Sequence, residues 1–159
     1  MLFQLSQENY PNATRMSVIP EGYDNIALPG HLVDVTIDDC CTLIHQTVQE
    51  KGYSLWVNNF FIRQSLLLHV LPEEQMYSLY YSMENTVKLL IQNEVKTIPA
   101  REFRQLELPS GEHFGVFSKG VYRSLHITVD EDNKDILQDQ EYAAALLREY
   151  YYDMAFQPH

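Results

Sequence analysis

The chain has 159 residues, a formal net charge of −11 and 45% apolar residues, which suits one domain with a core of its own. Its acidity disfavours binding to a nucleic-acid backbone or an anionic membrane, because both are bound chiefly through Lys and Arg. The neighbouring Cys40 and Cys41 exclude a disulfide framework and favour a reducing compartment. No signal peptide or bilayer-length apolar run is found, so we expect a soluble cytoplasmic protein without membrane contact.

The chain is expected to form three successive parts. Residues 1–30 contain closely spaced Pro and Gly and predict an irregular leader with short strands at 2–5 and 16–19. Residues 31–129 carry strand signals about every ten residues with turns between them, the pattern of an antiparallel sandwich or barrel. The predicted strands are 31–37, 42–49, 53–63, 65–70, 75–83, 86–92, 101–108, 113–117 and 121–129. Residues 130–159 form the third part, an acidic connection followed by a helix.

Two stretches of the predicted barrel have weaker strand signals than the rest. Pro72 and two acidic residues could open a helix over 75–83, but its tyrosines and neighbouring strands favour a strand. A short loop is expected from Asn93 to Pro99. The clearest signal is a hairpin, in which 113–117 and 121–129 alternate apolar and polar residues around a turn that contains Gly120.

The helix of the third part is expected to begin near Ile136 or Gln140 and is amphipathic. Its apolar stripe includes Ala143, Leu146, Leu147 and Tyr150, at helical spacing. This stripe has two possible partners, the outside of the chain's own sheet, which general grounds favour, or a second copy of the chain.

The sequence offers little catalytic chemistry. The histidines inside the chain are His31, His45, His69, His113 and His126, and none forms a His-x-His pair, so no metal or other cofactor is expected. No phosphate loop or nucleophile elbow is present. Asp38 and Asp39 beside the cysteines would raise a thiol pKa, which disfavours a cysteine nucleophile. We therefore predict no catalytic residues.

Aromatic residues are the stronger candidates for a site. Trp56, Asn58 and Phe60 share one face of the long strand at 53–63. An apolar interior with one or two polar groups suits a small-ligand pocket, although an ordinary solid core is equally compatible with this pattern.

The segments S-L-W-V-N-N-F-F-I-R and L-P-S-G-E-H-F-G-V-F-S-K-G-V-Y-R-S-L-H-I-T-V resemble the N-terminal sensing region of certain AraC-type transcription regulators. The shared features are Leu108-Pro109, Lys119-Gly120 and Ser124-Leu125-His126, with a helix from about Gln140. The resemblance covers roughly residues 31–154. It implies a cupin-like barrel that binds a small effector, helices that dimerise, and a C-terminal DNA-binding module that is absent before His159.

We therefore predict a mainly β protein with a cupin-like antiparallel barrel or double-sheet sandwich and a C-terminal amphipathic helix. Its expected function is effector sensing and homodimerisation for an AraC-type regulator, without enzymatic activity and with DNA contacted only through the absent module. Effector contacts are expected at Trp56, Asn58, Phe60 and His126, and partner contacts at Ala143, Leu146, Leu147 and Tyr150. The alternatives are a small cupin-type enzyme, such as an isomerase or dioxygenase, and an interaction protein with a solid core.

Overall fold

The computed structural model describes residues 1–155 and is mainly β. Its strands are β1 (Thr14–Met16), β2 (Leu32–Asp38), β3 (Cys41–Gln49), β4 (Ser54–Ile62), β5 (Leu66–Val70), β6 (Met76–Glu84), β7 (Val87–Ile91), β8 (Glu94–Ile98), β9 (Phe103–Leu108), β10 (His113–Phe117) and β11 (Gly120–Asp130). Two helices follow, α1 (Asp135–Gln138) and α2 (Gln140–Ala155). The predicted fold class is confirmed, the ambiguous segment at 75–83 is a strand, and the main helix begins at Gln140 as expected.

The strands form two antiparallel sheets that face each other. The larger sheet has the order β1-β2-β3-β4-β11-β6-β9, and the smaller has the order β5-β10-β7-β8. Apolar side chains from both sheets interdigitate between them, including Leu43 and Phe60 from the larger sheet and Leu68, Leu89 and Phe117 from the smaller. Strict alternation along each strand produces this arrangement, since every second side chain points into the space between the sheets.

The predicted hairpin between β10 and β11 is wrong, although both strands exist at nearly the predicted positions. β10 pairs with β5 and β7 in the smaller sheet, whereas β11 pairs with β4 and β6 in the larger. The connection is therefore a corner between sheets. The Tyr122 hydroxyl secures it by donating to the Ser118 carbonyl oxygen at 3.1 Å and accepting from the Ser118 N–H at 3.2 Å.

The loop expected between Asn93 and Pro99 is also wrong, because residues 94–98 form β8. Gln92 and Asn93 adopt φ angles of 50° and 64°, so a two-residue turn reverses the chain directly from β7 into β8. Turns of this kind match the twist of the strands that they join. β8 is an edge strand in which only Ile98 is buried, which explains its weak hydrophobic signal.

The N-terminal residues contribute to the core. We call residues 1–5 the N-terminal strap. Gln4 forms both backbone hydrogen bonds of an isolated bridge with His69, at 2.9 and 2.8 Å, while Met1 and Phe3 are buried between the sheets. The strap therefore closes one side of the sandwich beside β5. The strand expected at 16–19 overlaps β1 only at Met16.

The helices pack on the outer face of the larger sheet. Leu125 and Ile127 of β11 point outward and contact the cluster that contains Leu137 of α1 and Ala143 and Leu147 of α2. β11 is thus buried on both faces, which explains its continuous burial from Ser124 to Val129. No helix within residues 1–155 has the length and apolar character needed to cross a bilayer.

Candidate ligand-binding site

The structure brings the four predicted effector residues together on the inner face of the larger sheet. In the pairing of β4 with β11, Trp56 lies opposite His126 and Phe60 lies opposite Tyr122. Asn58, two residues from each, shares their face. Asn58, Phe60 and His126 are buried, and Trp56 is half-buried at the edge of the group.

His126 lies between two aromatic rings. Its imidazole stacks on Trp56 at a centroid distance of 5.7 Å and on Tyr80 at 5.0 Å, with interplanar angles of 7° and 13°. Burial lowers the pKa of His126 well below its ordinary value and raises the pKa of Tyr80 to about 12. Both rings are therefore neutral near pH 7, and the stack is held by packing rather than by charge.

His45 and Tyr80 belong to the same inner face, and the sequence did not identify them as site residues. His45 of β3 lies opposite Asn58, and Tyr80 of β6 lies opposite His126. Burial lowers the pKa of His45 to about 3, so its ring is neutral at physiological pH. The alternation of residues along β3 already indicates that His45 shares a face with Leu43. Its position opposite Asn58 depends on the pairing register of β3 with β4, which the sequence does not show.

The strap reaches the same group. The Phe3 backbone N–H donates to His45 Nε2 at 3.0 Å, so this nitrogen is unprotonated and the ring proton lies on Nδ1. The Phe3 ring also meets Phe60 and Phe117 edge-on, at centroid distances of 5.3 and 5.8 Å. A residue distant in sequence thus fills the interior beside the candidate site.

Three buried side chains on this face have polar atoms without hydrogen-bond partners among the described residues. These atoms are Nδ1 of His45, both amide atoms of Asn58, and both ring nitrogens of His126. A buried polar group without a partner costs about 1–3 kcal/mol, so such groups usually meet a water or a ligand. They can donate and accept hydrogen bonds, but none carries charge near pH 7.

A cavity of about 570 Å³ lies at one end of the sandwich, next to this group. It is bounded by the strap, the turn between β3 and β4, the connection from β5 to β6, and the end of β11. Trp56 lines it, and the stacked His126 lies directly behind the indole. Asn58 and Phe60 lie deeper between the sheets and are not part of its lining.

The other residue types weighed as candidates, metal ligands and cysteine nucleophiles, do not form a second site within the described residues. Within the described residues, no group of three or more His, Cys, Asp or Glu side chains is arranged to hold a metal ion. The Cys40 and Cys41 sulfurs are 3.7 Å apart and buried, and burial raises the pKa of both thiols. The inner face of the larger sheet and the adjacent cavity are therefore the candidate site.

The predicted dimerisation residues lie on α2. Ala143, Leu147 and Tyr150 are buried against the chain's own sheet, and Leu146 is half-buried beside them. The Tyr150 hydroxyl also lies 2.6 Å from His31 Nε2. The stripe thus packs on the chain's own sheet, the option favoured by the sequence analysis, and its contact with a partner stays a prediction.

Comparisons with known proteins find cupin folds. No family model and no curated protein matches the chain. Among solved structures, the EutQ protein of Clostridium difficile is 11% identical, with a TM-score of 0.42 over 74% of this chain and 75% of that one. The Cupin_2 domain of an XRE-family transcriptional regulator from Enterobacter cloacae is 9% identical, with a TM-score of 0.45 over 58% and 97%. Ectoine synthase from P. lautus is 12% identical, with a TM-score of 0.45 over 78% and 86%.

These similarities concern the fold alone. The similar structures include both a domain of a transcription regulator and an enzyme. The prediction that the chain is not an enzyme is contradicted, because an enzyme, ectoine synthase, is among the similar structures. This correction removes the exclusion without establishing catalysis.

Proposed function

We propose that the chain is the effector-binding domain of an AraC-type transcription regulator, with its ligand bound at the inner face of the larger sheet. The observation that carries the proposal is the buried group formed by His45, Asn58 and His126. In this group Nδ1 of His45, both amide atoms of Asn58 and both ring nitrogens of His126 lack partners among the described residues. Aromatic walls surround these polar atoms, and the cavity lined by Trp56 lies alongside. Apolar walls with a few convergent polar groups are the usual composition of a small-molecule site.

The regulatory part of the proposal is supported by the sequence resemblance and by the position of β11. His126 of this strand faces the candidate site, while Leu125 and Ile127 on its opposite face contact the cluster under α2. An effector that binds one arrangement of β11 more tightly would therefore change the surface on which α2 packs. Such a preference is the thermodynamic requirement for a ligand to control a distant event.

In this proposal the protein acts as a homodimer in the cytoplasm, and DNA is contacted by a separate module of the regulator. The side chains Ala143, Leu147 and Tyr150 would reach a partner only if α2 shifted on the sheet. Dimerisation is therefore the part of the proposal that depends most on a conformational change. Sedimentation with and without a bound effector measures it directly.

The binding proposal is tested by screening sugars, amines, carboxylates and nucleosides for compounds that raise the melting temperature. Titration calorimetry then compares the wild type with His126→Phe, which keeps an aromatic ring between Trp56 and Tyr80 but removes both ring nitrogens. We expect at least about a tenfold loss of affinity, the loss of roughly one hydrogen bond in a buried site.

The matched control is His69→Phe. His69 lies on β5 in the smaller sheet, and its side chain contacts Phe114 and Glu112 rather than the candidate site. The affinity of the His69→Phe variant for each compound found should equal that of the wild type. A screen without any binding compound, or equal affinity of His126→Phe and the wild type for every compound found, would refute the proposed site.

A further inference from the structure

The cavity at the end of the sandwich has apolar walls of suitable size for an organic molecule. Its volume of about 570 Å³ falls within the range typical of small-ligand sites. Its apolar surface includes Trp56, Val70, Pro72, Met76 and Val129. This surface suits the hydrocarbon or aromatic part of a ligand.

The charged groups of the cavity all have one sign. Glu73, Glu74 and Asp130 line it, and no Lys or Arg is found among its described lining residues. Neither glutamate forms an ion pair with a described residue, and Asp130 accepts hydrogen bonds only from the neutral Asn133, at 3.1 and 2.8 Å. The carboxylates are therefore available to a ligand.

Two further groups could offset this charge, and neither does. The Met1 amino nitrogen lies 3.4 Å from Thr128 Oγ1, and burial lowers its pKa well below the ordinary value, which favours its neutral form. Lys134, close to Asn133 in sequence, is paired with Glu131 at 2.9 Å. Negative potential in a recess attracts cations and repels anions.

The indole of Trp56 contributes its ring surface to the cavity. Its N–H is already used, because it donates to Ser54 Oγ at 3.0 Å. The half-buried ring can therefore meet an apolar or cationic group but offers no free donor to an anion.

From these observations we infer that the cavity binds a small organic cation, an ammonium ion attached to an apolar or aromatic body. The apolar body lies against Trp56 and Met76, and the ammonium group faces the carboxylates of Glu73, Glu74 and Asp130. The inference rests on the proposed binding function and adds to it the charge class of the ligand.

The test uses three probes of similar shape, 2-phenylethylammonium, 2-phenylethanol and 3-phenylpropanoate, titrated by calorimetry or by NMR on the full chain. We expect the ammonium to bind at least about tenfold more tightly than the alcohol, and the carboxylate to bind most weakly. The affinity of the ammonium should fall severalfold when salt is raised from about 0.05 to 0.5 M, since partly exposed charges are screened.

Charge variants locate the effect. Glu73→Gln combined with Glu74→Gln should weaken the affinity for the ammonium by about tenfold and leave the affinity for the alcohol unchanged. The control, Glu21→Gln with Glu84→Gln, removes the same formal charge at exposed positions outside the cavity lining and should change affinity less than about twofold.

The outcomes separate this inference from the proposed function. Equal or tighter binding of the alcohol or carboxylate, or unchanged ammonium binding in the Glu73/Glu74 variant, overturns the cation inference and leaves an effector site in place. The cation inference is also overturned, and the effector site again remains, if the ammonium fails to bind at millimolar concentration while the melting-temperature screen yields neutral or anionic ligands. Failure of both the probes and the screen overturns the inference and the proposed function together.

Discussion

Mild acid should destabilise this protein because two buried histidines are neutral in the fold. Burial lowers the pKa of His45 to about 3 and the pKa of His126 well below its ordinary value. In the unfolded chain both rings titrate near pH 6.5. Between that pH and the folded pKa the unfolded state binds more protons, so the free energy of unfolding falls as the pH is lowered. The contribution of the two histidines to stability is fully present above about pH 6.5.

The size of this loss follows from proton linkage. Each histidine contributes about 1.4 kcal/mol per pH unit, so lowering the pH from about 6.5 to 5 costs about 2 kcal/mol for each ring and about 4 for both. The total is a large part of the 5–15 kcal/mol that ordinarily stabilises a domain. Asp38 and Glu131 have lowered pKa values in the fold, so the stability that they contribute is lost only at more acid pH.

The measurement is urea unfolding at pH 7, 6 and 5 for the wild type, His45→Gln, His126→Phe and the double variant. Each substitution should reduce the slope of the free energy of unfolding against pH by about 1.4 kcal/mol per pH unit. This holds whatever the substitution does to the stability at pH 7. The buried Met1 amino group adds a slope of the same sign to every variant and cancels in the comparison. His69→Phe serves as the control at a half-buried position. If the double variant keeps the wild-type slope between pH 5 and 6.5, the rings are not held neutral by burial.

Three further predictions concern the interior. Phe3→Ala should reduce the free energy of unfolding by about 3–5 kcal/mol, because the ring is fully buried in the core; a loss below about 1 kcal/mol would show that the strap is not packed there. Gly115→Ala would place a methyl group 2.6 Å from Phe117 Cε2 and 3.1 Å from the Phe3 ring, and should cost about 1–3 kcal/mol by overpacking, measured by the same unfolding assay; an unchanged midpoint would contradict this contact. Cys40 and Cys41 should react slowly with a disulfide reagent in the native protein and rapidly in urea, because burial shields both thiols and raises their pKa; rapid native labelling would contradict their burial.

The strands were predictable from the sequence, whereas several of their partners were not. Alternation shows where a strand lies and which residues share a face, and it located β4, β10 and β11 nearly to the residue. It cannot show which sheet a strand joins, because the alternation looks the same in either sheet. The short connection around Gly120 therefore indicated a hairpin where the chain instead turns a corner between sheets.

The candidate site was only partly predictable for the same reason. The shared face of Trp56, Asn58 and Phe60 follows from their spacing of two residues, and the structure puts it inside the sandwich. The contribution of His45 depends on the register between β3 and β4, and that of Phe3 on a contact across 42 residues. No local pattern encodes either of these contacts, since the short strand predicted at 2–5 does not indicate which part of the chain it meets.

The amphipathic stripe of α2 shows what such a pattern can and cannot establish. Its spacing requires that one face of the helix be buried, but the covering surface is not specified. In the structure Ala143, Leu147 and Tyr150 already lie against the chain's own sheet. Among these four residues of the stripe, only Leu146 is partly accessible, so a second copy can contact them only by displacing the helix or by meeting other residues nearby. Displacing it would expose Leu125 and Ile127 of β11, the strand that also carries His126, so dimerisation through this stripe and ligand binding would be energetically coupled through one strand.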